Sequence, residues 1–352
     1  LTQVFYSPYE KAASGQVGKE KAHLKARKGA LLRIQFSQER VGFSDLCPLP
    51  HFGDPEIEDL LFDNPVIGRD PLEAPLLQRS LECAVLDSKA RLEKKSLYRK
   101  TPIRNHRLIL SLLDFKPEDL EAARSQGFDT FKIKIGPQTK EETKALRELS
   151  SRLTDDEQIR LDFNHALEHH QAEDWIQENL SLLKKHCQWI EDPFPYHLDS
   201  WSKLYEDFRI PLALDFFDPR VTNDLAGINY LVIKPAVQNA WALSKRYQIE
   251  KEQIIFTHYM DSALGRLFAF YEAQNFYEGL ASHERQRVPT CGLQSPHPTP
   301  GLPLEKSIEN KGAYVFPPKG YGLGLKETLD HLDWRKLHHP RMTEKIEELF
   351  FT

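Results

Sequence analysis

The chain has 352 residues, 40% of them hydrophobic and 28% charged, with a formal net charge of −5. That length suits a barrel with an accessory domain better than one small domain, and the balance is that of a globular protein. The weak acidity, without a basic stripe interleaved with aromatics, argues against nucleic acid as a partner, and no apolar run approaches the roughly 18 residues of a membrane span.

The start, Leu1–Glu10, lacks a basic stretch followed by an apolar one, so no signal peptide is expected. The longest basic cluster, around Lys19–Lys28, reads as a solvated edge rather than a binding patch. The four cysteines, Cys47, Cys83, Cys187 and Cys291, are scattered and form no C-x-x-C pair. They are expected to be free thiols in a reducing, cytoplasmic setting. Ala30–Phe36 reads as a strand. Val41–Pro55, rich in Gly, Pro and aromatics, reads as a loop of a length that is often functional, and its Phe43–Phe52 part is expected to close over a site. Leu77, Leu81, Ala84, Val85 and Leu92 recur at helical spacing and predict a helix over Leu76–Leu97. The pattern stops at Thr101-Pro102, which sets the end of an N-terminal domain, residues 1–102.

From there short apolar runs alternate with polar, helix-forming stretches. The runs are Leu108–Leu113, Phe131–Ile135, Ile159–Phe163, Cys187–Glu191, Pro211–Leu214, Tyr230–Ile233 and Ile254–Thr257. Helices are expected between them, over Pro117–Gln126 and Glu141–Leu153 for example. This is an α/β pattern of parallel strands wrapped by helices. Its unit count fits a (β/α)₈-type barrel over residues 103–300. No G-x-G-x-x-G follows the first strand, which counts against a dinucleotide-binding sheet. The tail, residues 301–352, reads as irregular and then helical, packing back on the N-terminal domain.

The polar residues at the strand ends carry the chemistry. Lys132 and Lys134 alternate with apolar neighbours in Phe131–Gly136, so both face the barrel interior, where a lysine is costly unless paired or functional. Asp162, Glu191 and Asp215 each follow an apolar run, with 29 residues from the first to the second and 24 to the third. That is one βα unit each, so three acids converge from neighbouring strands. Three anions cannot share a small volume without a cation. A hard divalent ion, Mg²⁺, suits three carboxylates. Lys234, before Pro235, repeats the pattern from across the barrel. In contrast, His165 and His169 of the HALEHH stretch lack a third zinc ligand and the H-E-x-x-H pattern, and read as a solvated face. His258 at a strand end reads as a packed or hydrogen-bonded side chain.

The order K-x-K, D-x-N, E-D-P, D, K-P resembles the enolase superfamily in its muconate-lactonizing-enzyme-like branch. The likeness runs over nearly the whole chain and includes Leu81–Tyr98. Within the branch, Arg160-Leu161-Asp162-Phe163-Asn164, Phe256–Gly265 and Cys291-Gly292-Leu293 are similar to segments of the o-succinylbenzoate synthase family. Phe216, Asp261, Cys291 and the Ser44-Asp45 pair depart from its usual residues. The resemblance implies a modified (β/α)₇β TIM barrel with an α+β N-terminal capping domain completed by the C-terminal segment.

It further implies a Mg²⁺-dependent lyase, with Mn²⁺ as a possible substitute, acting on a small carboxylate as a monomer or homo-oligomer. The implied reaction dehydrates 2-succinyl-6-hydroxy-2,4-cyclohexadiene-1-carboxylate on the way to menaquinone. Lys134 is then the base, its pKa lowered by Lys132 and the metal, and Lys234 steadies the anion. Arg160 is expected either to reach the succinyl carboxylate or to form a structural ion pair. Asn164 would orient a ligand or cap its strand. Backbone N–H groups near Ser262, Gly292 and Leu293 would hold the succinyl tail, or form plain turns. The rival activities are dipeptide epimerase and N-acylamino-acid racemase, against which the lack of D-x-D near Cys291 argues. A non-catalytic metal-binding barrel is the rival of another class.

Overall fold

The computed structural model describes residues 2–11, 26–63, 76–136, 139–215, 217, 222, 224–278, 288–295, 302–338, 342–344 and 346. Most of the Lys19–Lys28 cluster, and Phe216, lie outside them. Three strands open the chain: β1 (Gln3–Lys11), β2 (Arg27–Gln35) and β3 (Val41–Leu46). They pair antiparallel in order. Helix α1 (Leu76–Leu92) lies on this sheet. Its residues Leu77, Leu81 and Ala84 share a buried cluster with Val4, Ala30, Leu32 and Ile34, the alternate residues of one sheet face.

Two expectations fail in this region. The loop expected at Val41–Pro55 begins as a strand, because Val41–Leu46 is buried between β2 and α1 and so shows no polar alternation. The helix expected to reach Leu97 stops at Leu92, which is half exposed. Lys94 takes a left-handed conformation (φ 54°), and Lys94 N and Lys95 N donate to Arg91 O and Ala90 O. That is a Schellman ending, with lysine where glycine is usual. Close packing inside the cap is enforced at Gly42, where an added Cβ would lie 1.9 Å from Ala84 O.

After the short strand β4 (Ile103–Arg104) the barrel follows as β5 (Arg107–Ile109), α2 (Pro117–Ser125), β6 (Thr130–Lys134), α3 (Thr139–Ser150), β7 (Gln158–Asp162), α4 (His169–His186), β8 (Cys187–Glu191), α5 (Leu198–Phe208), β9 (Leu212–Leu214), β10 (Tyr230–Ile233), α6 (Ala240–Tyr247), β11 (Ile254–Phe256) and α7 (Ala263–Phe276). Strands β5 to β11 form one parallel sheet in sequence order. Its two edges are joined by Cys291-Gly292: Cys291 bridges Asn105, and Gly292 bridges Thr257. Outward residues such as Phe131, Ile133, Ile159, Leu161 and Ile190 pack with Leu146, Ile176 and Trp201 of the surrounding helices. Inward residues Trp189, Ala213, Val232 and Ile255 form a separate buried cluster, with Tyr230 packed against it. The fold is the expected modified TIM barrel with an antiparallel capping sheet.

The chain ends with β12 (Glu309–Lys311), β13 (Tyr314–Phe316), α8 (Lys326–Asp330) and β14 (Arg335–Leu337). The expected irregular-then-helical tail therefore contains strands: β12–β13 pair beside β4, and β14 adds to the cap sheet along β1. The cap also grips the turn after β11. Lys11 Nζ donates to Asp261 O (3.0 Å), Arg27 Nη1 to Met260 O (3.0 Å), and Ser262 N to Asp45 Oδ2 (2.7 Å). Tyr259 OH donates to Asp54 Oδ2 at 2.9 Å. Among the described residues no helix is long and apolar enough to cross a membrane.

Candidate active site

Each acid of the sequence pattern stands at the C-terminal end of its strand. Asp162 ends β7, Glu191 ends β8, and Asp215 directly follows β9. Strand register sets Lys134 beside Asp162 and Asp162 beside Glu191. Lys132 Nζ lies 2.8 Å from Asp162 Oδ2 and 2.5 Å from Glu191 Oε1. Lys134 Nζ lies 2.6 Å from Asp162 Oδ2 and donates to Asn164 Oδ1 at 3.1 Å. On the other side Lys234, following β10, pairs with Asp215. The two lysines Lys134 and Lys234 thus hold opposite ends of a row of acids.

The charges perturb one another strongly. Burial works to raise the Asp162 carboxyl, but Lys132 and Lys134 outweigh it and hold the group well below the usual range. Burial works to depress the Lys132 ammonium, but Asp162, Glu191 and Asp215 together raise it. Glu191 is nevertheless raised, by burial first and then by the charge of Asp162. The opposite shifts of Asp162 and Glu191 follow from how the ammonium groups are shared. Lys132 serves two acids, Asp162 has Lys134 besides, and Glu191 is left beside more negative charge than one shared ammonium offsets.

A fourth acid belongs to the cluster. Asp192 is buried, and its carboxyl is raised well above the usual range by burial and then by Asp215, Glu191 and Asp162. Alternation along β8 hides it from sequence reasoning, since residues adjacent to Glu191 should face the other way. Its backbone breaks the alternation with a φ of 44°. The E-D-P wording was a signal, in that two successive acids stand where the strand ends. Four carboxylates, Asp162, Glu191, Asp192 and Asp215, gather around three ammonium groups. As the side chains stand, no three His, Cys, Asp or Glu among the described residues form a metal-holding group. Lysine ammonium groups lie among the acids instead.

The other expected residues divide. Asn164 joins the site: its Nδ2 donates to Asp162 Oδ1 at 2.7 Å, and its φ is 45°. Arg160 lies deeper on the same strand, fully buried. It stacks 3.9 Å over Trp189 and bonds Gln188 Oε1, His106 Nδ1 and Thr290 O. None of these hydrogen-bond partners is a carboxylate, although the charge of Glu191 acts on the guanidinium. Burial pushes its guanidinium down to about 10.

The amide groups expected for the succinyl tail are committed elsewhere. Ser262 N donates to Asp45, Gly292 N to Phe256 O, and Leu293 N to Asn105 Oδ1. These three residues shape the closing strand pair and the cap contact, and their N–H groups are not open to a ligand. Cys291 is buried, and burial pushes its thiol up to about 11. His165 Nε2 lies 3.9 Å from Asp192 Oδ2, whereas His169 faces Glu173 and Phe194, so the two do not form a zinc pair. His258 Nδ1 accepts from Met260 N at 2.9 Å, and burial lowers its pKa.

A barrel with acids at the ends of successive strands, lysines on either side and an antiparallel capping sheet has the architecture of solved enolase-superfamily structures, and the chain shares that fold. Residues 117–216 match the enolase C-terminal domain-like family, and residues 4–90 match the o-succinylbenzoate synthase N-terminal domain. Within the superfamily the chain resembles the o-succinylbenzoate synthases. The o-succinylbenzoate synthase of Bdellovibrio bacteriovorus is 27% identical over 348 residues, spanning 96% of this chain and 99% of that protein. A structure of o-succinylbenzoate synthase from Thermosynechococcus elongatus, with Mg in its active site, matches with a TM-score of 0.60 and 20% identity, over 82% and 91% of the two chains. The L-Ala-D/L-Glu epimerase of Bacillus subtilis matches with a TM-score of 0.67 and 14% identity, over 92% and 97%. These likenesses support an enzyme.

Proposed function

We propose that the chain is an o-succinylbenzoate synthase, a Mg²⁺-dependent lyase of menaquinone biosynthesis. It would dehydrate 2-succinyl-6-hydroxy-2,4-cyclohexadiene-1-carboxylate to o-succinylbenzoate. The observation that carries the reading is the opposition of Lys134 and Lys234 across the acid row. The full-length likeness to the Bdellovibrio synthase supports the choice of substrate.

The donor set fits a hard divalent ion: the buried carboxylates Asp162 and Glu191 and the partly buried Asp215, at the ends of neighbouring strands. When bound, Mg²⁺ would stabilise negative charge on the substrate carboxylate. Lys134, at the edge of the acid row, takes the proton alpha to that carboxylate. The same ammonium then returns the proton to the departing hydroxyl, so water leaves and the ring becomes aromatic. One proton and one hydroxide are lost and no oxidant is needed. Lys234 keeps its charge and faces the anion from the other side. Lys132 holds Asp162 and Glu191 in place between them.

The test is incubation with the cyclohexadiene substrate and Mg²⁺, with and without chelator, followed by ultraviolet absorbance of the aromatic product. Metal-dependent product is expected, and its absence refutes the proposal. The epimerase likeness defines the competing result, which is deuterium exchange at the alpha carbon of dipeptides without dehydration.

A further inference from the structure

We propose that Asp192 is a positioning residue for the metal-binding acids, and that it acts by holding the backbone of Asp215. The inference rests on the metal reading above and extends it to a residue outside the three expected ligands.

Two independent features lead to it. The first is the hydrogen bonding where β8 meets β9. The ladder runs through Glu191 opposite Ala213, and Asp192 N donates to Ala213 O at 3.1 Å. The next donor on the β9 side is Asp215 N. It donates to the Asp192 side chain, at Oδ1, across 3.1 Å. A carboxylate thus substitutes for the carbonyl that would extend the sheet. The third acid is fixed to the second strand at the point where regular pairing ends. The second feature is backbone strain. Asp192 has a φ of 44°, in the left-handed region that costs a non-glycine residue free energy. That conformation brings two consecutive side chains, Glu191 and Asp192, to bear on one cluster, which an extended strand forbids.

The opposite side of Asp192 is also engaged. Its carbonyl accepts from His165 N at 2.8 Å, and His165 itself has a φ of 59°. The turn after β7 and the turn after β9 therefore meet on Asp192. Through it, the strand ends that carry Asp162 and Asp215 are tied to the one that carries Glu191. Partners that orient metal ligands typically change metal affinity by 10–100-fold when lost.

The experiment is calorimetric titration of Mg²⁺, without substrate, into the full chain and its Asp192→Ala, Asp192→Asn and Asp192→Glu variants, each checked for a native thermal transition. Asp192→Ala should weaken Mg²⁺ about tenfold or more. Asp192→Asn, which keeps an acceptor oxygen for Asp215 N, should stay within about threefold. Asp192→Glu, which keeps the charge but displaces the acceptor, should fall toward Ala. Equal affinity in Asp192→Ala overturns the inference alone. So does a loss in Asp192→Asn equal to that in Asp192→Ala, since charge would then be the cause. If Ala does not fold, native affinity in Asp192→Glu overturns it. A wild-type chain that binds no Mg²⁺ defeats the metal reading and this inference with it.

Discussion

Lys132 on β6 reaches past β7 to place its ammonium 2.5 Å from Glu191 on β8, while also lying 2.8 Å from Asp162 on the strand between. One buried cation thereby pins two acids. Removing one member of a buried charge cluster leaves the others uncompensated, at a cost of about 3–5 kcal/mol. Lys132→Met should therefore destabilise the metal-free protein by about 3 kcal/mol in urea unfolding. Added Mg²⁺ should recover part of the loss, because it binds the folded state. Unchanged stability in the metal-free variant would show that Lys132 is not the pin.

Lys134 shares Asp162 with Lys132 but sits nearer the mouth, with 29% of its side chain exposed against 9%. Lys134→Ala should lower turnover by about 10²–10⁴, the range for loss of a general acid–base group. Calorimetry should find Mg²⁺ bound at least as tightly, since a competing cation on Asp162 is gone. Full turnover in this variant refutes the assignment of the base.

Asp45 gives a pH dependence with a definite sign. Burial and the nearby Asp261 push its carboxyl up to about 6, against the hydrogen bonds from Tyr9 and Ser262. Between about pH 4 and pH 6 the folded chain holds a proton that the unfolded chain has released. This contribution to stability is full below pH 4 and is lost as pH rises through 6. His106, which burial keeps neutral, works in the opposite sense, with stability lost as pH falls below about 6.5. It is common to wild type and Asp45→Asn, so it cancels in their difference. Relative to the variant, wild type should be more stable at pH 4 than at pH 7 by about 2–3 kcal/mol. The same difference at both pH values would remove Asp45 from the account.

Gly42 is held by space rather than by conformation. A methyl there would collide with the Ala84 carbonyl on α1. Gly42→Ala should push α1 off β3 and cost about 1–3 kcal/mol in thermal or urea unfolding. A neutral effect would mean that the helix can shift at no cost.

The barrel was legible because parallel strands buried on both faces read as continuous apolar runs. Cys187–Glu191 and Tyr230–Ile233 fall on their strands to the residue, and the others lie within a few positions. The acids and lysines were legible because strand ends are where a barrel allows charge. The closing pair Cys291-Gly292 was not, since two residues carry no periodicity. Asp192 was missed because a left-handed residue breaks the alternation from which faces are read. For the amides of Ser262, Gly292 and Leu293 a ligand contact and a plain turn stayed equally open, because sequence shows a turn but not which acceptor its N–H groups have found.

The cap holds the turn after β11 largely by its main chain: the carbonyls of Met260 and Asp261 accept from Arg27 and Lys11, and the amide of Ser262 donates to Asp45. Peptide groups are common to every residue type. The Met260 side chain can therefore be exchanged while its carbonyl still receives Arg27, whereas Tyr259, whose hydroxyl bonds Asp54, ties the two parts of the molecule through its side chain.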